Sequence, residues 1–190
     1  MEKTEKRNEI ISATLELLVA HGFHGTPMKL ISQNSKIAID TIYRFFKSKD
    51  DLITESFACL QRQMLASIIS EYPEGESIRD QFLHISKSII KYFIESPTEF
   101  RFHEQFYSSP YGASCNRERL LGNIEINIIS ELFDEGRKQQ IIKDLPLPVL
   151  IALTFGPLIH ICRSHIQKYC VLDDQLLKSA VDACWDSIKR

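Results

Sequence analysis

Apolar residues recur at intervals of three and four along most of the 190-residue chain, the spacing of one face of an α-helix. After Ser77 the apolar positions advance in steps of 4, 3, 4 and 4, at Ile78, Phe82, Ile85, Ile89 and Phe93. No segment of the sequence alternates apolar and polar residues as a half-buried strand does. The pattern therefore predicts an all-α protein with about nine helices.

The start of the chain is divided by residues that end and begin helices. An amphipathic helix is predicted over residues 3–21. Gly22 and Gly25 follow it, and glycine commonly ends a helix in the left-handed conformation. Thr26 is expected to cap the next helix, with Pro27 in its first turn.

A tight turn and a second short helix come next. Residues 34–36, Asn-Ser-Lys, predict the turn, and a helix is expected from about Ala38 to Phe46. Ser48 and Asp51 have the spacing of a capping box, so a long helix is expected over residues 49–71. Two short helices joined by such a turn form the helix-turn-helix pair that places one helix in the major groove of DNA.

The second short helix is expected to have one buried face and one exposed face. The inward positions are Ile37, Thr41 or Ile42, and Phe45, and those of the preceding helix are Met28 and Ile31. The outward positions are Ile39, Asp40, Tyr43, Arg44 and Lys47.

Charge is distributed unevenly along the chain. Residues 1–49 hold eight Lys or Arg against five Asp or Glu, whereas the remaining residues hold 15 against 20. Lys6 and Arg7 lie near the start of the first helix, where basic side chains suit phosphates. A basic head on an acidic body fits a DNA-binding protein, although a solvated charged face gives the same count.

The second half of the chain is markedly apolar but does not predict a membrane span. The uncharged run from Leu145 to Cys162 is interrupted by three prolines and a glycine, so a buried or interface helix is the better interpretation. No signal peptide precedes the first charged helix. The five cysteines lack a disulfide framework, and a reduced cytoplasmic protein is expected.

A set of residues in the first quarter of the chain matches a known regulator pattern, about ten of them in both type and spacing. They are Gly22-Phe23, Thr26, Ile31, Thr41-Ile42-Tyr43, Phe46 and the run from Lys47 to Leu52. With them the chain resembles the TetR-type (tetracycline-repressor-like) regulators. It departs from the family pattern in the turn and at the start of the second helix, at Lys36, Ala38, Ile39 and Asp40. The family usually has glycine in the turn, so the resemblance implies positive φ at Lys36, at a cost of roughly 1 kcal/mol or less. These departures concern base specificity rather than fold.

The resemblance implies a DNA-binding domain over residues 1–48 and a helical effector-binding and dimerisation domain over residues 49–190. It implies a cytoplasmic homodimer that binds a palindromic operator in double-stranded DNA. A small-molecule effector would shift the long helix at residues 49–71 and release the DNA. Repression is the expected output, with activation as the alternative. A second alternative is a helical small-molecule-binding or scaffold protein with degraded DNA specificity.

Candidate DNA contacts combine hydroxyl, cationic and apolar side chains. They are Thr26, Lys29, Ile39, Asp40, Thr41, Tyr43, Arg44, Lys47 and Lys49. Hydroxyls of Thr26 and Tyr43 suit phosphate, and Arg44 suits either a guanine edge or a phosphate. Ile39 suits a thymine methyl group, and Asp40 suits a cytosine amino group or solvent.

Two further sets of residues are expected in the body. Family members bind effectors in a cavity, and the candidates here are Phe57, Gln61, Phe102, His103, Phe106, Tyr107, Glu125 and Phe155. Each aromatic among them also fits an ordinary core. The apolar last two helices predict a dimer interface at Leu158, Ile161, His165, Leu177, Val181, Cys184, Trp185 and Ile188.

Other chemistry is not indicated by the sequence. His160, Cys162, His165 and Cys170 match no zinc spacing, so no metal is expected. The sequence has no nucleophile elbow, phosphate loop or metalloprotease motif. We therefore expect neither an enzyme nor a cofactor, and no membrane partner.

Overall fold

The computed structural model describes residues 2–114 and 127–190, and the regular secondary structure in these ranges is helical. The helices are α1 (Glu2–His21), α2 (Met28–Ser35), α3 (Ile39–Phe45), α4 (Lys49–Ile69), α5 (Ile78–Glu95), α6 (Pro97–Tyr107), α7 (Asn127–Lys138), α8 (Leu147–Ile166) and α9 (Asp174–Ile188). Residues 110–114 are also helical. The one β-type pairing in these two ranges is an isolated bridge between Ile142 and Lys189. The all-α prediction is confirmed.

The chain forms two compact units. The first unit comprises Met1–Gln63 and Pro97–Asn123, and the second comprises Met64–Ser96 and Ile124–Arg190. In the first unit α6 packs against α1, and the side-chain amide of Gln105 donates to the Val19 carbonyl at 3.2 Å. These units describe packing, so the functional boundary after residue 48 stays a prediction.

The core of the first unit is formed by apolar residues of α1 to α4. They are Ile10, Ile11, Leu17, Met28, Ile31, Ile42, Phe46 and Leu52. The predicted inward positions Met28 and Ile31 are confirmed, and Ile42 rather than Thr41 is fully buried. Phe45 also packs against this cluster as predicted, but it is only half-buried, whereas Phe46 is 1% exposed. The reason is that α3 ends at Phe45, and Phe46 is extended with φ −133° and ψ 120°.

The turn between α2 and α3 has the predicted left-handed residue. Lys36 has φ +57°, in the region that glycine usually occupies. The Ser32 hydroxyl donates to the Ile37 carbonyl at 2.7 Å, and the Ser35 hydroxyl donates to the Ile31 carbonyl at 2.8 Å. These side-chain bonds hold the turn closed without glycine.

The start of α2 differs from the prediction. Pro27 is its N-cap, without a side-chain capping bond, so the capping role expected of Thr26 is wrong. The Thr26 hydroxyl instead donates back to carbonyl oxygens near the end of α1, at 3.1 Å to Leu17 and 2.9 Å to Gly22. Thr26 is 0% exposed and ties the loop to α1.

The capping box at the start of α4 is confirmed. The Asp51 amide donates to the Ser48 hydroxyl oxygen at 3.0 Å. The Asp51 carboxylate accepts from the Lys47 amide at 2.7 Å, one residue earlier than in the usual reciprocal pair. This bond fixes the backbone between α3 and α4.

The second unit has an aromatic core from α5, α7, α8 and α9. The Phe82 ring centroid lies 5.4 Å from that of Trp185 and 6.3 Å from that of Phe155. Arg79 on α5 and Asp182 on α9 form an ion pair at 2.5 Å at the surface of this unit.

In the described part of the chain, α8 is the one helix long and apolar enough to cross a membrane by length and composition. Only 28% of its most apolar window is buried, so much of its apolar surface is uncovered by the rest of the chain.

Candidate DNA-binding interface

Exposed side chains on α3 and just after it form a surface that we call the recognition face, made of Ile39, Asp40, Tyr43, Arg44 and Lys47. Ile39 is 36% exposed and Tyr43 is 47% exposed, which is unusual for large apolar or aromatic side chains. Ile42 on the opposite side is completely buried. The core therefore fixes the orientation of α3 and presents these five side chains together, as the sequence predicted.

A groove lies beside the recognition face. Lys3 and Lys6 of α1 and Thr41, Arg44 and Phe45 of α3 line it, and its volume is about 360 Å³. We call it the cationic groove, because three of these five side chains are basic. The sequence indicated a basic start to the chain, but it did not show that Lys3 and Lys6 meet α3.

Two residues that were predicted to contact DNA, Thr26 and Lys49, form hydrogen bonds within the protein. Thr26 is buried, as described above. The Lys49 ammonium donates to the Phe23 carbonyl, and the Lys49 side chain is half-buried. Lys29 is exposed on α2, and Thr41 is half-buried.

Arg7 does not join the exposed basic surface. Its guanidinium pairs with the Glu55 carboxylate and lies 5.4 Å from the centroid of the Phe46 ring. Arg7 therefore connects α1 to α4 behind α3. This ion pair could not be predicted from the sequence, because Arg7 and Glu55 are far apart along the chain.

The segment that follows α6 also holds the start of α4. The Tyr111 hydroxyl donates to the Asp50 carboxylate at 2.6 Å, and the Tyr111 ring lies 5.2 Å from that of Phe23. Burial, then the hydrogen bond to Asp50 and its charge, raise the pKa of Tyr111 to about 12. The hydroxyl therefore stays protonated, and able to donate, at any physiological pH.

Most of the predicted effector residues form an aromatic cluster in the first unit. Phe57 and Phe106 stack with centroids 3.7 Å apart, and Tyr107 meets Phe57 edge-on at 5.4 Å. His103 lies 4.7 Å from Tyr107, and Phe102 lies 6.0 Å from Phe106.

The remaining predicted effector residues are more scattered. Gln61 is half-buried in the first unit. Phe155 belongs to the second unit, where it packs 6.4 Å from Phe133. Glu125 lies outside the described residues.

The structure buries most of the predicted dimer-interface residues within the second unit. Leu158, Val181, Cys184, Trp185 and Ile188 are core residues, and Ile161, His165 and Leu177 are half-buried. A different set of small and apolar residues is exposed on α8 and α9. We call it the bundle face, and it consists of Val149, Ala152, Leu153, Gly156, Leu176 and Ala183.

Within residues 2–114 and 127–190, no three His, Cys, Asp or Glu side chains are close enough to hold a metal ion. The four cysteines in these ranges, Cys59, Cys162, Cys170 and Cys184, are free thiols.

Known families match both ends of the chain. Residues 10–55 match the family described as bacterial regulatory proteins, tetR family. Residues 77–189 match the family described as tetracyclin repressor-like, C-terminal domain. The second match alone covers more than half of the chain.

Individual proteins match over the full length. An uncharacterized HTH-type transcriptional regulator of Haemophilus influenzae is 24% identical over 189 residues, which cover 99% of this chain and 98% of that protein. The crystal structure of a TetR family transcription regulator from Marinobacter aquaeolei has a TM-score of 0.84 and 22% identity, and covers 100% of this chain and 99% of its own.

A third similar protein was solved with a bound molecule. The structure of the transcriptional regulator FadR from Bacillus subtilis in complex with stearoyl-CoA has a TM-score of 0.72 and 16% identity, over 94% of this chain and 95% of that one. From the two family matches together, the chain belongs to the TetR family of DNA-binding transcriptional regulators.

Proposed function

We propose that the protein is a repressor that binds a palindromic operator as a homodimer and leaves it when a small-molecule effector binds. The observation that carries the DNA-binding part is the recognition face, whose polar and apolar side chains are exposed on a helix anchored by Ile42. Residues 1–48 would read the DNA, and residues 49–190 would sense the effector and form the dimer. We place the protein in the cytoplasm and assign it no catalytic step.

The DNA contacts divide into phosphate contacts and base contacts. The Tyr43 hydroxyl would donate to a phosphate, while Lys29 and Lys47 would displace counterions. Ile39 would contact a thymine methyl group, and Asp40 would accept from a cytosine amino group. We assign Thr26 and Lys49 to holding the loop and α4 in place, since both side chains bond to backbone carbonyls.

Selection from randomised duplex DNA at moderate salt is expected to recover one inverted repeat. Tyr43→Phe should then weaken binding to that repeat by about tenfold to a hundredfold, because a hydrogen bond to a charged phosphate contributes about 1.5–3 kcal/mol and 1.36 kcal/mol corresponds to a factor of ten. Fluorescence anisotropy with a labelled operator measures the change. Tyr169→Phe removes the same atom from a side chain that is 84% exposed on the loop after α8, and should leave the affinity unchanged.

Failure of that selection would contradict the proposed function. If no sequence is enriched and binding disappears as salt rises, the head recognises only charge. The alternative, a helical small-molecule-binding or scaffold protein, would then be favoured.

The partner in the dimer would be a second copy packed on the bundle face. Its exposed residues on α8, at positions 149, 152, 153 and 156, follow helical spacing and form one stripe. Gly156 has no atom within 4 Å of the position that a Cβ would occupy. Small residues at such a stripe let two helices approach closely, and the twofold symmetry of a dimer matches the palindrome.

The effector is proposed to be an amphipathic molecule with a long apolar chain, of the acyl-CoA class. FadR from Bacillus subtilis was crystallised with stearoyl-CoA, and this chain has an aromatic cluster that includes the polar side chains of His103 and Tyr107. Gln61 is half-buried in the same unit. Such a mixture of aromatic walls and few polar groups is typical of small-molecule sites. Binding would act through α4, whose residues up to Gln63 belong to the first unit and whose remaining residues belong to the second.

Long-chain acyl-CoA is expected to raise the melting temperature and to displace the selected operator, because a ligand stabilises the state that it binds. Differential scanning fluorimetry and operator anisotropy measure the two effects across a series of chain lengths. Free CoA is the matched control and should do neither. Equal effects from CoA and its long-chain esters, or none from either, would argue against this effector class.

A further inference from the structure

The short helical segment that follows α6, at residues 110–114, lies against the start of α4. The Tyr111 hydroxyl donates to the carboxylate of Asp50, in the first turn of α4, at 2.6 Å. The centroid of the Tyr111 ring also lies 5.2 Å from that of Phe23, in the loop between α1 and α2. The Lys49 ammonium donates to the carbonyl of the same Phe23. Tyr111 therefore joins the loop before α2 to the start of the helix after α3.

These two segments flank the helix-turn-helix pair of α2 and α3. Only residues 24–27 separate Phe23 from α2, and only residues 46–48 separate α3 from α4. Both connections are held by side-chain hydrogen bonds of their own, so neither is a free linker. A displacement at Phe23 or Asp50 therefore changes the orientation of the recognition face.

Tyr111 also contacts the aromatic cluster of predicted effector residues. Its ring centroid lies 6.2 Å from that of Phe106, and Phe106 stacks on Phe57 with centroids 3.7 Å apart and planes 2° from parallel. Rings at that spacing are in van der Waals contact, so a molecule that enters between them has to move one of them. The rings of Phe57, Phe106, Tyr111 and Phe23 thus form a continuous row from the cluster to the loop before α2.

The segment that holds Tyr111 is folded back closely on the end of α6. A Cβ at Gly112 would lie 2.5 Å from the Phe106 carbonyl oxygen and 2.5 Å from the Cα of Tyr107. The Ser109 hydroxyl donates to the same Phe106 carbonyl at 2.6 Å. Because these neighbours are backbone atoms in close packing, a displacement at the end of α6 moves Tyr111 with it.

We infer that Tyr111 is a positioning residue that holds the helix-turn-helix pair in its DNA-binding geometry, and that an effector in the aromatic cluster acts by breaking its bond to Asp50. This inference rests on the proposed function, because it names the contact through which the proposed effector would release the operator. An effector that separates Phe106 from Phe57 favours the state in which Tyr111 has moved, and operator affinity falls accordingly.

Tyr111→Phe removes the hydroxyl and keeps the ring contacts. Its affinity for the selected repeat should fall by about threefold to tenfold, at or below the lower end for a hydrogen bond to a charged group, because the pair is exposed. Affinity for scrambled DNA should change by less than about twofold, since binding through charge alone needs no fixed orientation of α3. Anisotropy titrations measure both.

Two further variants accompany this change. Gly112→Ala leaves Tyr111 and Asp50 in place but forces the segment away from α6, so it should reproduce the selective loss of operator affinity. Tyr72→Phe removes a comparable hydroxyl, which donates to the Gln81 side-chain oxygen at 2.9 Å in the second unit, and should change neither affinity. Far-UV circular dichroism checks that each variant is folded.

Stearoyl-CoA is the probe for the link to the effector. It should weaken operator binding by the wild-type protein, and by a smaller factor in Tyr111→Phe. The operator affinities of the two proteins should become equal at saturating stearoyl-CoA, because the bond to Asp50 is then already broken in the wild type. A merely structural role of the hydroxyl would instead lower the operator affinity by the same factor with and without the probe.

Three outcomes would overturn the inference. In the first, Tyr111→Phe binds the selected repeat as tightly as the wild type. In the second, Tyr72→Phe loses as much operator affinity as Tyr111→Phe. In the third, the loss in Tyr111→Phe is the same with and without stearoyl-CoA, so that the bond is a permanent part of the fold.

Failures of the proposed function give different results. A wild-type protein that selects no operator would contradict DNA recognition itself. A wild-type protein that selects an operator but does not respond to stearoyl-CoA would contradict the effector class and the second half of the inference. The comparison of Tyr111→Phe with Tyr72→Phe would still decide whether Tyr111 positions the helix-turn-helix pair.

Discussion

Phe46→Ala is expected to destabilise the DNA-binding head by about 3–5 kcal/mol, the usual cost of removing a buried phenylalanine from a core. Phe46 is 1% exposed and packs in the cluster of α1 to α4. Its ring also supports the Arg7 guanidinium, which pairs with Glu55. Truncation therefore leaves a cavity and removes the apolar support of an ion pair.

Hydrogen exchange can localise this loss. Amides of α2 and α3 should exchange more than a hundredfold faster in Phe46→Ala, since 1.36 kcal/mol corresponds to a factor of ten. The only tryptophan, Trp185, lies in the second unit, so its fluorescence should report an unchanged transition there. Because α3 would open more often, operator affinity should fall as well.

The neighbouring phenylalanine is the matched control. Phe45 is half-buried and lines the cationic groove, so Phe45→Ala should accelerate exchange by less than tenfold. If Phe45→Ala were the more destabilising of the two changes, the helical periodicity would extend through residue 46 and the observed end of α3 would be wrong.

The contrast between Phe45 and Phe46 shows where a periodic pattern stops being informative. Spacing predicted α3 and its exposed face, because Ile42 and the outward residues follow helical geometry. The spacing does not locate the end of a helix to within one residue. Beyond that end the backbone conformation changes, and with it the direction in which the side chains point. The left-handed conformation of Lys36 was predictable for a different reason, since the family pattern usually has glycine at this position and glycine commonly adopts positive φ.

Contacts between distant residues lie beyond such reasoning. Thr26 fits a helix cap by sequence, but its hydroxyl reaches the carbonyl of Leu17 on the preceding helix. Lys49 was predicted to contact DNA because of its charge, yet its ammonium donates to the Phe23 carbonyl. Nothing in the sequence pairs Tyr111 with Asp50, because the two are 61 positions apart and only tertiary packing brings them together.

The predicted dimer residues illustrate the same limit in another form. An apolar stripe on α9 can face its own chain or a partner, and the sequence does not distinguish the two faces. The structure shows that Val181 and Trp185 are core residues, whereas small residues such as Gly156 and Ala183 are exposed. In the dimer that we propose, the second copy therefore packs on the exposed residues of the bundle face rather than on these core residues.

Gly156→Leu is accordingly expected to convert the proposed dimer into a monomer and to weaken operator binding by at least a hundredfold. Gly156 faces open space in the single chain, and leucine has a better helix propensity than glycine, so the folded monomer should accept the change. Between two closely packed copies the added side chain would hold the helices apart. Loss of the second half-site removes an avidity that typically contributes 10²–10⁴ in affinity.

Sedimentation velocity and operator titration measure the two effects of Gly156→Leu. Lys87→Leu introduces the same side chain at an exposed position of α5, and should remain dimeric with wild-type affinity. If Gly156→Leu also stays dimeric, the bundle face is not the interface, and the exposed apolar surface of α8 must contact something other than a second copy. If the variant is monomeric yet binds the operator with wild-type affinity, one recognition helix is sufficient for binding. The twofold symmetry of a dimer would then not explain the inverted repeat.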